Sequence, residues 1–134
     1  MFGNSRSPVA AYAQVGVETS VQAANPHQLI VLLFEGARAA IAMARLGMEQ
    51  NKVDVRGTSI SKAVDIITNG LQVSLDLDSG GELAVKLNAL YDYMTRRLVH
   101  ANIRNDRLAL DEVDNLLGEI HSAWLEIADK VRQS

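Results

Sequence analysis

After Pro26, apolar side chains recur every three or four residues almost to the end of the chain, a spacing that predicts amphipathic helices. Four are expected. The first opens at "ANPHQLI", where Asn25 caps, Pro26 suits the first helical position and Gln28 completes a capping box, and it runs to about Glu49. The second spans about Thr58 to Ser74, capped by Thr58 or Ser59 and closed by the turn "DLDSGGE". The third begins near Gly81 or Glu82 and ends near Arg104. The fourth spans about Leu110 to Val131, entered through "RNDRLALDE".

At about 100° per residue, the fourth helix gathers Val113, Leu116, Leu117, Ile120, Trp124, Ile127 and Val131 on one stripe, with His121 at its edge. The third gathers Leu83, Leu87, Leu90, Met94, Leu98 and Ala101, flanked on opposite sides by Tyr91 and Tyr93. The second gathers Ile60, Ala63, Val64, Ile67, Leu71 and Leu75. Helices of about 20 residues joined by short connections predict an all-α fold, an antiparallel four-helix bundle. Residues 26–134 form that domain, and residues 1–25 a partly ordered N-terminal cap.

The first helix is apolar on too many sides for one buried stripe. Leu29, Ile30, Leu32, Leu33, Phe34, Ala37, Ala40, Ile41, Ala44 and Met48 spread well beyond a ~100° arc. Gly36, Ala40, Ala44 and Gly47 leave room for another backbone to approach. Ile66, Val73 and Leu77 lie off the core face of the second helix, and Val85, Val99 and Ile103 nearly opposite that of the third. Apolar faces beyond what a bundle consumes point to a docking surface. The segment before Pro26, with Val9, Tyr12, Val15, Val17 and Val21, is suited to cover part of it as a displaceable lid.

Composition narrows the classes. The 134 residues suit one domain, 48% are hydrophobic, and no cysteine is present, which excludes disulfides and thiolate zinc sites and fits a cytoplasmic protein. The most strongly apolar run, Leu29 to Phe34, is far short of a membrane span, and the first residues lack the pattern of a secretory signal. A net charge of −3 argues against nucleic acid, and the cluster Arg96, Arg97, His100, Arg104 and Arg107 is explained by the negative end of a helix dipole. Catalytic constellations are missing. His27, His100 and His121 have no metal-pair spacing, and "DLDSGGE" fails as a calcium loop because Gly80 and Leu87 stand at ligand positions. No cofactor, metal or enzymatic activity is expected.

The strings "NPHQLIVLLFEGA" (25–37), "SKAVDIITNGLQVSLD" (61–76), "GGELAVKLNALYDYMTRRLVHANIRND" (80–106) and "EVDNLLGEIHSAWLEI" (112–127) resemble the flagellin export chaperone family, FliS. The resemblance extends to the N-terminal "AYAQV". It implies a cytosolic chaperone that binds the disordered C-terminal segment of flagellin, prevents premature polymerisation and helps deliver it to the flagellar type III export gate. The same surface is a candidate site for other flagellar regulators. Matched residue by residue, Val9 and Tyr12 are candidates for lid and gate contact, and Ile30, Leu33, Phe34 and Ala37 for the flagellin groove. Ile66 and Val73 join them from the surplus face of the second helix, and Tyr91, Tyr93, Arg97 and Asn102 match the third-helix string. Phe34 stands where the family often has tyrosine. From the residues alone, Tyr91 reads equally as a core cap and Arg97 as the ion-pair partner of a fourth-helix acid such as Glu119. The alternative from another class is a structural or regulatory bundle forming a homodimer through its surplus stripes.

Overall fold

The computed structural model describes residues 25–133, with side chains placed for residues 25–127. Val9, Tyr12 and the expected lid lie outside the described residues. Four helices follow in order: α1 (Pro26–Glu49), α2 (Val53–Ile66), which runs on into a π-helical segment (Ile67–Gln72), α3 (Gly81–Arg104) and α4 (Arg107–Gln133). No strand occurs among the described residues.

The helix ends follow local chemistry. The Asn25 side chain accepts from the Gln28 N–H at 2.9 Å, and Gln28 Oε1 accepts from the Asn25 N–H at 3.1 Å, the expected capping box. Beyond α1, Asn51 takes a left-handed backbone (φ 56°) and the Lys52 N–H reaches the Gly47 carbonyl at 2.8 Å. This tight closure lets α2 start at Val53, five residues before the expected Thr58. The same device repeats after α3, where Asn105 is left-handed (φ 51°) and the Asp106 N–H reaches Ala101 at 3.0 Å. Asp106 Oδ1 then accepts from the Leu108 and Ala109 N–H groups, so α4 begins at Arg107 instead of near Leu110. Between the π segment and α3, Gly81 sits at φ +66° and a Cβ at Gly80 would collide with the Asp76 carbonyl, so the pair of glycines is required by the turn.

Cross-helix contacts establish the topology. Going up α1, Phe34, Arg38, Arg45 and Glu49 meet residues going down α4: His121, Asp114, Asp111 and Arg107. Arg56 and Gln72 of the second arm meet Asn102 and Asn88 of α3, and Arg97 of α3 meets Glu112 of α4. Each helix is thus antiparallel to its two neighbours, in the ring α1, α2, α3, α4. The core runs down the middle: Leu33, Phe34, Ala37 and Ile41; Ile60, Ala63, Ile67 and Leu71; Tyr91, Met94 and Leu98; and Ala109, Leu110, Val113 and Leu117.

The breadth of apolar character on α1 is largely consumed here. Its small-residue arc receives α2, since a Cβ at Gly47 would lie 2.8 Å from the Arg56 nitrogen and one at Gly36 would touch Ile66. Leu33 packs on Gly70, where a Cβ would come within 3.1 Å of its methyl. The wide π turn keeps that glycine at the contact and holds both Ile67 and Leu71 in the core.

Candidate partner-binding surface

Several residues assigned to a surface from sequence belong to the interior. Leu33, Phe34 and Ala37 are buried, Phe34 with no accessible area, and Ile66 and Tyr91 are buried as well. The assignment of these five to the partner surface is corrected: α1 touches both α2 and α4, so two faces of it are interior, and the close approach at Gly36 draws Ile66 inward. Burial also pushes the Tyr91 hydroxyl pKa far above its ordinary value. Ile30 is half-buried at the edge of the core. In the other direction, Leu83 and Ile127, read as core, are exposed; Ala84 takes the buried place at the start of α3.

Tyr93 and Arg97 form one cluster with α4. The Tyr93 hydroxyl donates to Glu112, and Arg97 Nε donates to the other Glu112 oxygen at 2.8 Å. The partner of Arg97 is Glu112 and not Glu119, because α4 begins early and its first turns stand opposite this part of α3. The two donors hold the Glu112 carboxyl below the usual range, and the carboxylate in turn raises the Tyr93 hydroxyl. The cluster is a strut between helices with both ends half-exposed.

The open surface lies on the other side of α3. Val73 (54% exposed), Val85 and Val99 (47%) and Ile103 remain exposed, together with Leu77 and Leu83. Between α2 and α3 runs a groove of about 350 Å³ with an apolar floor of Ile60, Val64 and Val99 and polar walls from Ser61, Asp65, Thr68, Asn69 and Asn102. Its ends are tied by amides: Gln72 Nε2 donates to Asn88 Oδ1 at 2.9 Å and to Asp92 at 2.8 Å, and Arg56 donates to Asn102 Oδ1 at 3.2 Å and Asn105 Oδ1 at 2.9 Å. Of the residues singled out from sequence, Asn102 lines this groove and Val73 lies exposed beside the end of the π segment, while Tyr93 and Arg97 face α4.

The sequence signals for Val99 and Ile103 were visible as a surplus stripe, but Ile60 and Val64 read only as core. The missing signal was register. A hairpin folded at residues 79–80 places residue 60 opposite residue 99, which joins the surplus face of α3 to the flank of α2. Met43 and Leu46 of α1 and Val53 at the start of α2 are exposed as well.

Among the described residues no cluster of histidine, aspartate or glutamate is placed to hold a metal ion, and no helix is long and apolar enough to cross a membrane.

Comparison with known proteins gives a consistent picture. A family model described as Flagellar protein FliS matches residues 8–131. The chain is 52% identical over 124 residues to a flagellar secretion chaperone FliS of Salmonella typhimurium, covering 92% of both chains. It is 50% identical over 116 residues to the protein of that name from Escherichia coli, covering 87% of this chain and 85% of the other. To that of Bacillus subtilis it is 32% identical over 128 residues, 96% and 91% of the two chains.

Proposed function

The chain belongs to the FliS family of flagellar secretion chaperones, which are not enzymes, and from that premise we propose that it holds the disordered C-terminal segment of flagellin on the apolar surface outside its core. In this role it prevents premature polymerisation in the cytoplasm and delivers flagellin to a component of the flagellar type III export gate. The observation that carries the reading is the apolar surface left over once the bundle is closed: the α2–α3 groove and the exposed Val73, Val85, Val99 and Ile103. Exposed apolar side chains flanking an apolar groove mark a site that meets a partner. A disordered amphipathic guest gains about 25 cal/mol for each Å² of apolar surface it buries there, set against the entropy of its own ordering.

Residues 1–25 act in this scheme as a lid over part of the apolar surface, with Val9 and Tyr12 as its contacts and as the point of docking to the gate. Other flagellar regulators share the surface. The exposed Met43, Leu46 and Val53 favour a second reading, a homodimer of the free protein.

The test is titration calorimetry with a synthetic flagellin C-terminal peptide at several temperatures. Stoichiometric binding with a negative heat-capacity change is expected. Absence of heat at micromolar concentrations, together with concentration-dependent dimers in sedimentation, transfers the surface to self-association.

A further inference from the structure

Among the described residues six large apolar side chains are more than half exposed, and all six stand near the two ends of the bundle. Val53, Ile103 and Leu108 (77% exposed) surround the loops 50–52 and 105–106 at one end. Val73, Leu83 and Val85 surround the loop 73–80 at the other. Both ends are firmly built. At the first, Arg56 Nη1 donates to Asn105 Oδ1 at 2.9 Å and Arg107 stands 3.5 Å from Glu49, so the two loops are fastened side by side. At the second, the Ser79 N–H donates to Asp76 Oδ1 at 3.1 Å and the Gly80 N–H to the Asp76 carbonyl at 2.7 Å, which fixes the turn.

The two ends differ in sign. Helix N- and C-termini alternate at each end of an antiparallel bundle, so their dipoles largely cancel and the side chains decide. At the first end Lys52 and Arg104 form no ion pair with any described residue, and Arg56 bonds only the neutral amide oxygens of Asn102 and Asn105. Glu49, Asp106 and Asp111 are taken up by Arg107, His100 and Arg45, which leaves Asp54 as the opposing acid. At the second end Asp78 and Glu82 form no ion pair with any described residue, Asp76 is bonded to Ser79, and Lys86 in the second turn of α3 is the opposing cation. The first end is basic and apolar, the second acidic and apolar.

Two basic ends face to face would set Lys52 and Arg104 against the same cations, and two acidic ends would set Asp78 and Glu82 against the same acids. Unlike ends match in both charge and apolar surface. We propose that the protein associates with further copies of itself end to end, the Lys52 and Arg104 end of one copy on the Asp78 and Glu82 turn of the next. Val53 and Leu108 of one then pack on Leu77 and Leu83 of the other, all four exposed in the single bundle. Each contact leaves one basic and one acidic end free, so growth does not stop at two copies. This separates it from a closed homodimer. A contact of this small area is weak and fills at protein concentrations of about 100 μM and above.

Sedimentation of the full chain tests the proposal. At about 20 mM salt the weight-average mass is expected to climb past that of a dimer as the protein is concentrated from about 10 μM to about 1 mM, and at about 500 mM salt to fall back toward the monomer. Charge reversal supplies the second arm. Asp78→Lys with Glu82→Lys makes both ends basic, and Lys52→Glu with Arg104→Glu makes both acidic. Each double variant alone is expected to stay monomeric, and an equimolar mixture of the two to regain association, because every contact then joins unlike ends. All four side chains are exposed, and circular dichroism checks that each variant is folded; the concentration and salt series of the wild type stands without them. A wild-type mass that stays at the monomer or levels off at a dimer overturns the proposal. So do reversed variants that associate like the wild type, or a mixture of folded variants that remains monomeric.

Discussion

The two long seams of the bundle are built differently. Between α1 and α4, Arg38–Asp114 (2.9 Å), Arg45–Asp111 (2.7 Å) and Arg107–Glu49 (3.5 Å) form a ladder of ion pairs. His121 lies flat on Phe34, with ring centres 5.8 Å apart, and Trp124 covers His27. Between α2 and α3, hydrogen bonds from Arg56 and Gln72 stand at the two ends, and between them lies a groove with an apolar floor and polar walls. The first seam is closed by its own side chains along its length. The second leaves an apolar floor open between its end contacts, where another chain can be received without unfolding the host.

The contrast is broken most severely at the closed seam. Phe34 is fully buried, so Phe34→Ala is expected to cost about 3–5 kcal/mol, read as a large fall in the urea midpoint by circular dichroism. Survival of the variant with normal stability and impaired peptide binding would return Phe34 to the surface. At the open seam the opposite is expected. Val99→Lys places a charge on the groove floor where the native residue is already half-exposed, so stability should move by no more than about 0.5 kcal/mol while peptide affinity drops about tenfold.

The smallest effect concerns pH at the closed seam. Arg38 Nη1 lies 3.4 Å from His121 Nδ1, and a guanidinium has only donors, so the ring must accept there and carry its proton on the buried Nε2. Burial first, and then the Arg38 charge, lower the His121 pKa, against a weaker opposing pull from Glu35; Asp114 is occupied by Arg38 Nε. Because the folded pKa lies below that of the unfolded chain, the unfolded state binds more protons between the two values. The contribution of His121 to stability is therefore present above about pH 6.5 and is lost as pH falls through that value toward the lower folded one. His121→Phe keeps a ring on Phe34 and removes the proton site. Its unfolding midpoint should fall less between pH 7 and pH 5 than that of the wild type, and equal slopes would show that other groups carry the acid sensitivity.

Much of the architecture was legible because it rests on local rules. The capping box at Asn25, the period of α3 and α4 and the glycine turn at Gly80 each depend on residues a few positions apart. Helix starts were missed where an asparagine in left-handed conformation closed a turn, as at Asn51 and Asn105, since asparagine adopts that state without announcing it. The candidate surface was legible only in part. Val73 and Leu77 of the second helix and Val85, Val99 and Ile103 of the third are exposed as expected, whereas Leu33, Phe34, Ala37, Ile66 and Tyr91 lie in the interior.

By itself the chain determined its helices, the existence of apolar surface in excess of one stripe per helix, and the strings that place it in its family, all properties of spacing and residue type. Only the tertiary structure decided which apolar faces were spent. A helix periodicity records that a face avoids water and says nothing of which neighbour shields it. The answer came from close approach at Gly36, Gly47 and Gly70, which buried the extra faces of α1 against α2, and from amide ties at Arg56 and Gln72, which kept the flank of α3 uncovered.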